Sequence, residues 1–361
     1  MQKNVLLVVL LLTVLISAPL IGGTFAASKA QKAIDKAISK AVQKDWRKIL
    51  GVKISIDGQN YTQVFNKTLP GPGPGPNPSP CPPNTHPDHG ICVPDPIPPS
   101  PDSIPPLNES HSLRVAAVGD VDCNSAQTKQ FDLLNKYHVQ VFLLAGDYNY
   151  KNGKCVLDDL SNHGFSNINS QGACGNHDIC KDLAIWLNTN RTFSQKNFGT
   201  RSELSVFTVD ANTKFDCSSP QFSLLKGWIE ASDAWYNIPI VHQPFVTVKS
   251  NHGDNGQFNC YDPMFGHNGI NLVIQAHNHN YQKEKVNGRT YLVVGTGHHD
   301  SGSSMYPCNS KTDQNGVPAL CITGVNGLTI MDLQIDNPDV RHVNGWFLSD
   351  NEQIKDSFTI G

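Results

Sequence analysis

The chain has 361 residues, of which 39% are hydrophobic and 16% charged, and its formal net charge at pH 7 is −3. This composition leaves room for one large domain of about 220–250 residues together with accessory segments. The slightly acidic balance argues against a general nucleic-acid-binding surface, for which a strongly basic chain is expected. The charge does not exclude nucleotides as small substrates.

The first 26 residues have the form of a signal peptide. A short polar start is followed by an apolar stretch that reaches Ile21, and small residues precede the expected cleavage site near Ala26. The alternative is an uncleaved membrane anchor, because the apolar stretch is marginally long enough to span a bilayer if it is tilted. Pro19, near the end of the stretch, favours cleavage. In both cases the rest of the chain is predicted to lie outside the cytoplasm, secreted or at the cell surface.

Residues 27–68 are predicted to form a small N-terminal module. Residues 28–50 carry apolar side chains at helical spacing and lysines on another face, which indicates a basic amphipathic helix. Such a helix can lie on an anionic membrane surface, but we favour packing of its apolar face on the segment that follows. That segment is predicted to be a β-hairpin, with alternating residues over 52–56, an Asp-Gly turn and a second strand over 61–64.

Residues 69–110 are rich in Pro-Gly and Pro-Pro, and we predict a stiff, extended linker because such a segment cannot donate a regular hydrogen-bond ladder. The chain has ten cysteines, and an even count in an exported chain favours disulfides. We predict one bridge between Cys81 and Cys92 and another between Cys308 and Cys321. The sequence fixes no connectivity for the other six cysteines.

Beyond the linker, five apolar runs each end on a residue that can bind a metal ion. Short runs rich in Val, Ile and Leu, bounded by Gly and Asn, are typical of buried strands, and open α/β sheets bind ligands beyond the carboxyl ends of their strands. In chain order the runs lead to Asp120, to Asp147, to Asn176 and His177, to His242, and to His277 and His279. Carboxylates, an amide and imidazoles carried to one rim make a two-metal centre the natural hypothesis.

Strands and helices alternate between these motifs. We predict a helix near 124–138, a strand over 205–209, a helix over 221–232 and a hairpin turn at Asn287-Gly288. Cys174 and Cys180 flank the Gly-Asn-His-Asp motif closely, so a bridge at either cysteine would stiffen that loop.

The motifs, in this order, resemble those of the calcineurin-like metallophosphoesterases. They are Gly119-Asp120, Gly146-Asp147-Tyr148-Asn149-Tyr150, Gly175-Asn176-His177-Asp178, Val241-His242-Gln243-Pro244 and His277-Asn278-His279. Within that superfamily the chain is most similar to the purple acid phosphatases, because Tyr150 follows Asp147 by three residues, where those enzymes have a metal-binding tyrosine. The resemblance covers about residues 111–337 and leaves 338–361 as a C-terminal extension. It implies an α/β fold, a four-layer α/β/β/α sandwich of two packed mixed sheets.

The resemblance also implies a dinuclear site. Its ligands would be Asp120, Tyr150 and His279 for the first metal, Asn176, His242 and His277 for the second, and Asp147 as the bridge. A tyrosinate ligand implies iron in the first position, paired with a divalent Fe, Zn or Mn ion. Asp122 departs from the pattern, since many metallophosphoesterases have His there and purple acid phosphatases usually have Gly. Three roles stay open for Asp122: a ligand, a neighbour of the ligands, or the cap of a helix that begins near Asn124.

The implied activity is that of an acid-phosphatase-like hydrolase, in which metal-activated hydroxide attacks a phosphate monoester and an imidazole protonates the leaving alkoxide. The resemblance favours His177 as this acid, with Asp178 as its orienting partner, and His252 next. His298 and His299, after another apolar strand, can also line the cleft. The alternatives are a phosphodiesterase or nucleotidase on the same centre, and a non-catalytic surface protein that retains the fold. The sequence fixes neither the substrate nor the oligomeric state.

Overall fold

The structure is a computed structural model that describes residues 51–56, 59–64, 85–88, 91–94 and 103–361, except 249, 298, 301–304 and 339–340. The predicted signal peptide, the basic helix, most of the Pro-rich linker with the predicted Cys81–Cys92 bridge, and His298 lie outside the described residues. The chain divides into two compact units, Met1–Val93 and Pro94–Gly361.

The described residues before the second unit form two hairpins. β1 (Gly51–Ile56) pairs antiparallel with β2 (Gln59–Val64), with Ile56 opposite Gln59, which confirms the predicted hairpin. β3 (Thr85–Asp88) pairs with β4 (Ile91–Pro94). The prediction that the Pro-rich segment has no ladder is therefore wrong for these strands. Their few prolines are compatible with a ribbon of two edge strands, because an edge position does not need every N–H group.

The second unit contains five helices and thirteen strands among the described residues. In chain order these are β5 (Ser112–Val118), α1 (Ser125–Lys136), β6 (Val141–Leu144), α2 (Gly153–Asn162), β7 (Ser170–Gly172), α3 (Cys180–Trp186), β8 (Gln195–Phe198), β9 (Leu204–Val209), α4 (Pro220–Glu230), β10 (Tyr236–Val241), α5 (Phe258–His267), β11 (Leu272–Gln275), β12 (Tyr281–Val286), β13 (Arg289–Val294), β14 (Ala319–Ile322), β15 (Gly327–Gln334), β16 (Val343–Ser349) and β17 (Ile354–Ile360).

The strands form two mixed sheets. One has seven strands in the order β14-β12-β13-β11-β10-β9-β8, and the other has six in the order β17-β16-β15-β5-β6-β7. The central pairs β9-β10-β11-β13 and β5-β6-β7 are parallel. The outer pairs are antiparallel. Parallel neighbours bring their carboxyl ends to the same edge of each sheet, which is where the predicted ligands follow.

Alternation along the strands sorts the side chains into layers. In β5, Val115 and Ala117 face a core shared by both sheets, while Ala116 and Val118 face a second core built with α1, α2 and α3. Residues of β9 and β10 divide in the same way, with α4 and α5 covering the third core. Each buried Val, Leu or Ile side chain stabilises the fold by about 1.5–3 kcal/mol. The result is the predicted four-layer α/β/β/α sandwich.

Local signals place the helix ends and the hairpin turn. α1 begins after Asn124, whose side chain accepts hydrogen bonds from the N–H groups of Ala126 and Gln127 at 3.0 and 2.9 Å. α4 begins after Ser219, which caps the N–H of Phe222, with a proline in the first turn. Both predicted helices, the strand over 205–209 and the turn at Asn287-Gly288 are confirmed, the turn by two consecutive residues of positive φ, 50° and 82°.

The C-terminal segment belongs to the sandwich. β16 and β17 complete the six-stranded sheet, so the prediction of a separate extension over 338–361 is wrong. Val343 and Phe347 alternate toward the core between the sheets, and the ring of Phe347 stacks on Tyr281 of the other sheet, with centroids 4.4 Å apart. The predicted metal-binding motifs end before this segment and therefore carry no signal for it.

Four disulfides join described cysteines: Cys123–Cys155, Cys174–Cys180, Cys217–Cys260 and Cys308–Cys321. The last of these confirms a predicted pair. Two of the others constrain loops that carry predicted ligands. Cys123–Cys155 joins the loop after Asp122 to α2, and Cys174–Cys180 closes a ring around the Gly-Asn-His-Asp motif. Among the described helices, none combines the length and the apolar character that crossing a bilayer requires.

Candidate metal centre

Several predicted ligands follow strand ends at the shared rim, and three have unusual backbone conformations. Asp120, Asp147 and His277 have φ values of 59°, 51° and 71°. Residues other than glycine rarely adopt this left-handed region, and such outliers concentrate at functional sites, where the surrounding structure holds them. Each follows a strand of the parallel pairs, β5, β6 and β11. The reversal of the chain at these residues brings their side chains into one cluster.

The hydroxyl of Tyr150 is the point where these side chains meet. It lies 2.9 Å from Asp120 Oδ1, 2.9 Å from Asp147 Oδ2 and 3.0 Å from His279 Nε2. A phenol has one proton and can donate it to only one of these acceptors. The cluster thus has more lone pairs than protons, and a cation among these atoms would satisfy the remaining lone pairs.

His242 and His277 complete the other side of the cluster. His242 Nε2 lies 3.1 Å from Asp147 Oδ2 and 3.2 Å from His277 Nδ1. His242 Nδ1 lies 2.9 Å from the carbonyl oxygen of Ala145, which can only accept, so Nδ1 carries a proton and Nε2 is the nitrogen that can give up its proton to bind a metal ion. One ligand atom from each of Asp147, His242 and His277 lies within 4.8 Å of the others. This spacing suits one metal ion.

Asp300 orients His279 in the same way. Its Oδ2 lies 2.5 Å from His279 Nδ1, which leaves Nε2 to face Asp120 Oδ1 at 3.3 Å. A carboxylate that binds the nitrogen facing away from the metal fixes the tautomer of a ligating imidazole and raises its basicity. We did not predict Asp300 as a site residue. The signal was its place at the end of the glycine-rich segment after β13, since other site residues also follow parallel strands.

Opposite charges balance the two buried carboxylates. Burial raises the pKa of Asp120, but the neighbouring His279, together with His242 and His277, outweighs it and holds that pKa below its usual range. Burial lowers the pKa of His242, but Asp147 reverses the effect and raises it to about 9. Burial and the charge of His242 together lower the pKa of His277 to about 3. The buried carboxylates therefore stay ionised beside positive partners, a role that protonated imidazoles or metal ions can fill.

Burial, Asp120 and Asp147 raise the pKa of Tyr150 far above its ordinary value. The phenol stays protonated beside these carboxylates unless cations offset their charge. The donor set of carboxylates, imidazoles and a phenol otherwise fits iron, zinc or manganese.

The loop with the third motif is built around Asp147. The N–H of His177 donates to Asp147 Oδ1 at 2.8 Å, and a Cβ on Gly175 would overlap that same oxygen. Only glycine therefore lets the loop approach the carboxylate this closely. Asn176, the remaining predicted ligand, is exposed on this loop between the two residues that contact Asp147.

Solved structures share this architecture, although no protein-family profile and no curated protein sequence matches the chain. GAP50, the anchor in the inner membrane complex of Plasmodium, has a TM-score of 0.51 at 13% identity over 70% of this chain and 89% of that one. The purple acid phosphatase PPD1 from yellow lupin seeds has a TM-score of 0.54 at 14% identity over 72% of this chain and 55% of that one. The chain has the calcineurin-like metallophosphoesterase fold. It spans about half the length of the lupin phosphatase chain.

Within this metallophosphoesterase fold, Asp178 has a role other than the predicted one. We expected it to orient His177, but its carboxylate accepts hydrogen bonds from the backbone N–H groups of Asp147, Tyr148 and Gly175 at 2.9, 2.7 and 2.7 Å. These bonds tie the second motif to the third. The His177 side chain is exposed, and its ring lies beside that of Tyr150, with centroids 4.7 Å apart.

Asp122 lies beside the candidate metal centre, and its carboxylate is paired with other groups. Its Oδ2 lies 2.5 Å from Lys151 Nζ, and its Oδ1 accepts from the N–H of Cys123 at 2.8 Å. The capping role belongs to Asn124 instead. Of the three open roles, the structure thus favours a neighbour of the ligands.

Two histidines named from the sequence cover proposed ligands of the candidate centre. The ring of His252 stacks on His277 with centroids 3.9 Å apart, and the ring of His299 stacks on Tyr150. His252 Nε2 also lies 2.9 Å from the hydroxyl of Tyr306, a residue that we did not predict. No spacing in the sequence relates Tyr306 to the motifs, because only the tertiary fold brings the 305–322 segment to the site.

Gly175→Ala tests the close approach of the third motif to Asp147. The added Cβ must displace the carboxylate or the loop, so we expect metal affinity to fall about tenfold or more, the scale seen when groups that support a ligand are changed. Metal titration of the purified variant measures this. Gly227→Ala is the matched control, because a Cβ at this α4 position meets open space. A Gly175→Ala protein with wild-type metal affinity would contradict the geometry.

Proposed function

We propose that the protein is an exported phosphoesterase that hydrolyses phosphate monoesters at a dinuclear metal centre. The observation that carries the proposal is the convergence of Asp120, Asp147 and His279 on the single hydroxyl of Tyr150 within 3.0 Å. The fold shared with a purple acid phosphatase gives it independent support. The convergent atoms are donors that hydrolytic metal ions use.

The proposed metal ligands are those implied by the motifs. Asp120, Tyr150 and His279 would hold one ion, Asn176, His242 and His277 the other, and Asp147 would lie between them. Iron with a divalent Fe, Zn or Mn ion is the proposed pair. When bound, such a pair polarises the phosphoryl group and supplies hydroxide from water.

The remaining work falls to residues of the chain. The carbonyl oxygen of Ala145 holds the proton on Nδ1 of His242, and the carboxylate of Asp300 holds it on Nδ1 of His279. Nε2 of each ring is then the nitrogen that can bind a metal ion. Asp178 holds the loops of Asp147 and Gly175 at a fixed distance. His177, exposed at the rim, and His252, stacked on His277, are the two candidates for protonating the leaving alkoxide.

We also propose that the protein works outside the cytoplasm, since the four described disulfides are typical of oxidising compartments. Contact of the basic segment 28–50 with an anionic membrane surface is a further part of this proposal. N-terminal sequencing of the native protein tests the compartment. We expect a mature chain that begins near Ala27, and Met1 retained in a membrane fraction would replace secretion with anchoring.

Two other functions fit the same centre. A phosphodiesterase or nucleotidase would use the same ligands, because the loops at the rim choose the substrate. A non-catalytic protein is the other candidate, favoured by the fold shared with GAP50, an anchor protein. Against it, all seven proposed ligand positions hold side chains that can bind metal.

Asp147→Asn tests the proposed reaction. The amide keeps the size of the side chain but removes the charge that would bridge two cations, so we expect turnover of a chromogenic monoester to fall at least about a thousandfold while the melting temperature stays near that of the wild type. Assays with a monoester and a diester, with and without a chelator, measure the activity.

The diester arm separates the phosphodiesterase from the phosphatase. A metal-loaded wild type inactive on both esters would favour the binding protein. An Asp147→Asn variant with near wild-type turnover would refute the proposed bridge.

A further inference from the structure

Two stacked pairs of rings cover both halves of the candidate centre. The rings of His252 and His277 have centroids 3.9 Å apart and planes within 17°, and those of Tyr306 and His279 have centroids 4.2 Å apart and planes within 9°. A hydrogen bond connects the two rings that are not proposed ligands, since His252 Nε2 lies 2.9 Å from the Tyr306 hydroxyl. His252 and Tyr306 thus form one hydrogen-bonded bridge, which stacks on the proposed ligands His277 and His279.

The backbone of the His-x-His motif fixes both ends of this bridge. The N–H of His252 donates to Asn278 Oδ1 at 3.1 Å, and the N–H of Tyr306 donates to the carbonyl of His279 at 3.3 Å. Asn278 is fully buried and donates in turn to Thr247 Oγ1 at 2.7 Å. The bridge is therefore held in register with the strand end that carries the ligands.

Tyr306 is anchored independently of its hydroxyl. Its carbonyl accepts hydrogen bonds from Asn280 Nδ2 at 3.1 Å and Thr323 Oγ1 at 2.8 Å, and the Cys308–Cys321 disulfide follows it in the same segment. Removing the hydroxyl alone leaves these anchors and the ring stack intact. The hydroxyl thus has a separable effect, which is to hold the imidazole of His252.

We propose that Tyr306 is a positioning residue of the proposed phosphoesterase, which holds His252 where it protonates the leaving group. The hydrogen bond occupies Nε2 of His252, so Nδ1 is the nitrogen left to pass a proton to the departing alkoxide oxygen as its bond to phosphorus breaks. Stacking on His277 alone leaves the His252 ring free to flip by half a turn about its Cβ–Cγ bond, which exchanges the positions of its nitrogen and carbon atoms. The hydroxyl of Tyr306 removes that freedom.

Tyr306→Phe tests this proposal with two monoesters. Nitrophenolate departs without protonation, whereas an alkoxide such as that of glycerol phosphate requires a proton. We expect kcat for the alkyl ester to fall about tenfold or more, kcat for the nitrophenyl ester to change less than about threefold, and both KM values and the metal content to stay near wild type. A purely structural role would lower both rates alike.

Three further measurements complete the test. His252→Ala should lose at least as much alkyl-ester activity as Tyr306→Phe, and the His252→Ala/Tyr306→Phe double variant should lose no more than His252→Ala alone. In metal-free protein, the ¹⁵N resonance of His252 Nε2 should shift in Tyr306→Phe. Tyr137→Phe is the control, because that hydroxyl bonds the exposed Glu352.

Equal losses on both esters, an additive double variant, an unshifted His252 resonance or a loss of metal would each overturn the positioning role. A wild type that hydrolyses neither ester instead refutes the phosphoesterase function itself, and the positioning role with it.

Discussion

The site depends on holding two buried carboxylates, Asp120 and Asp147, against one phenol oxygen. Like charges this close repel strongly away from water, and burial raises the pKa of Asp147 while His242 lowers it. The imidazoles of His242 and His279 offset part of the charge at 3.1 and 3.3 Å. The proposed metal ions would supply the remaining positive charge and so offset the energetic cost of burying two neighbouring carboxylates.

The two sheets and a few short bonds make this arrangement possible. Parallel strands deliver the ligands to one rim, and left-handed turns after β5, β6 and β11 bring their side chains together. Asp178 then clamps two of the motif loops through three backbone N–H groups. Asp300 and Tyr306 arrive from later segments and fix the imidazoles. The strands therefore place the proposed ligands at the rim, while side chains on loops fix the orientation of those ligands.

The sequence predicted the strands, the main helices and the clustering of six of the proposed ligands, because residue alternation and glycine-bounded strand ends are local signals. It could not predict that Asp178 bonds the backbone of the second motif instead of orienting His177, since that contact joins segments about 30 residues apart. Asp122 was left open for the same reason, because its partner is Lys151. The strands β16 and β17 were missed because they carry packing residues and no motif.

The most direct test of the centre is the visible spectrum of iron-loaded, oxidised protein. Tyr150 as a ligand predicts a tyrosinate-to-iron charge-transfer band that Tyr150→Phe abolishes. Tyr148→Phe is the control and should keep the band, because the Tyr148 ring packs in the core beneath the helices and its hydroxyl donates to the carbonyl of Ile179 at 3.1 Å. An iron-replete protein without such a band, or one that keeps its band in Tyr150→Phe, would contradict the proposed centre.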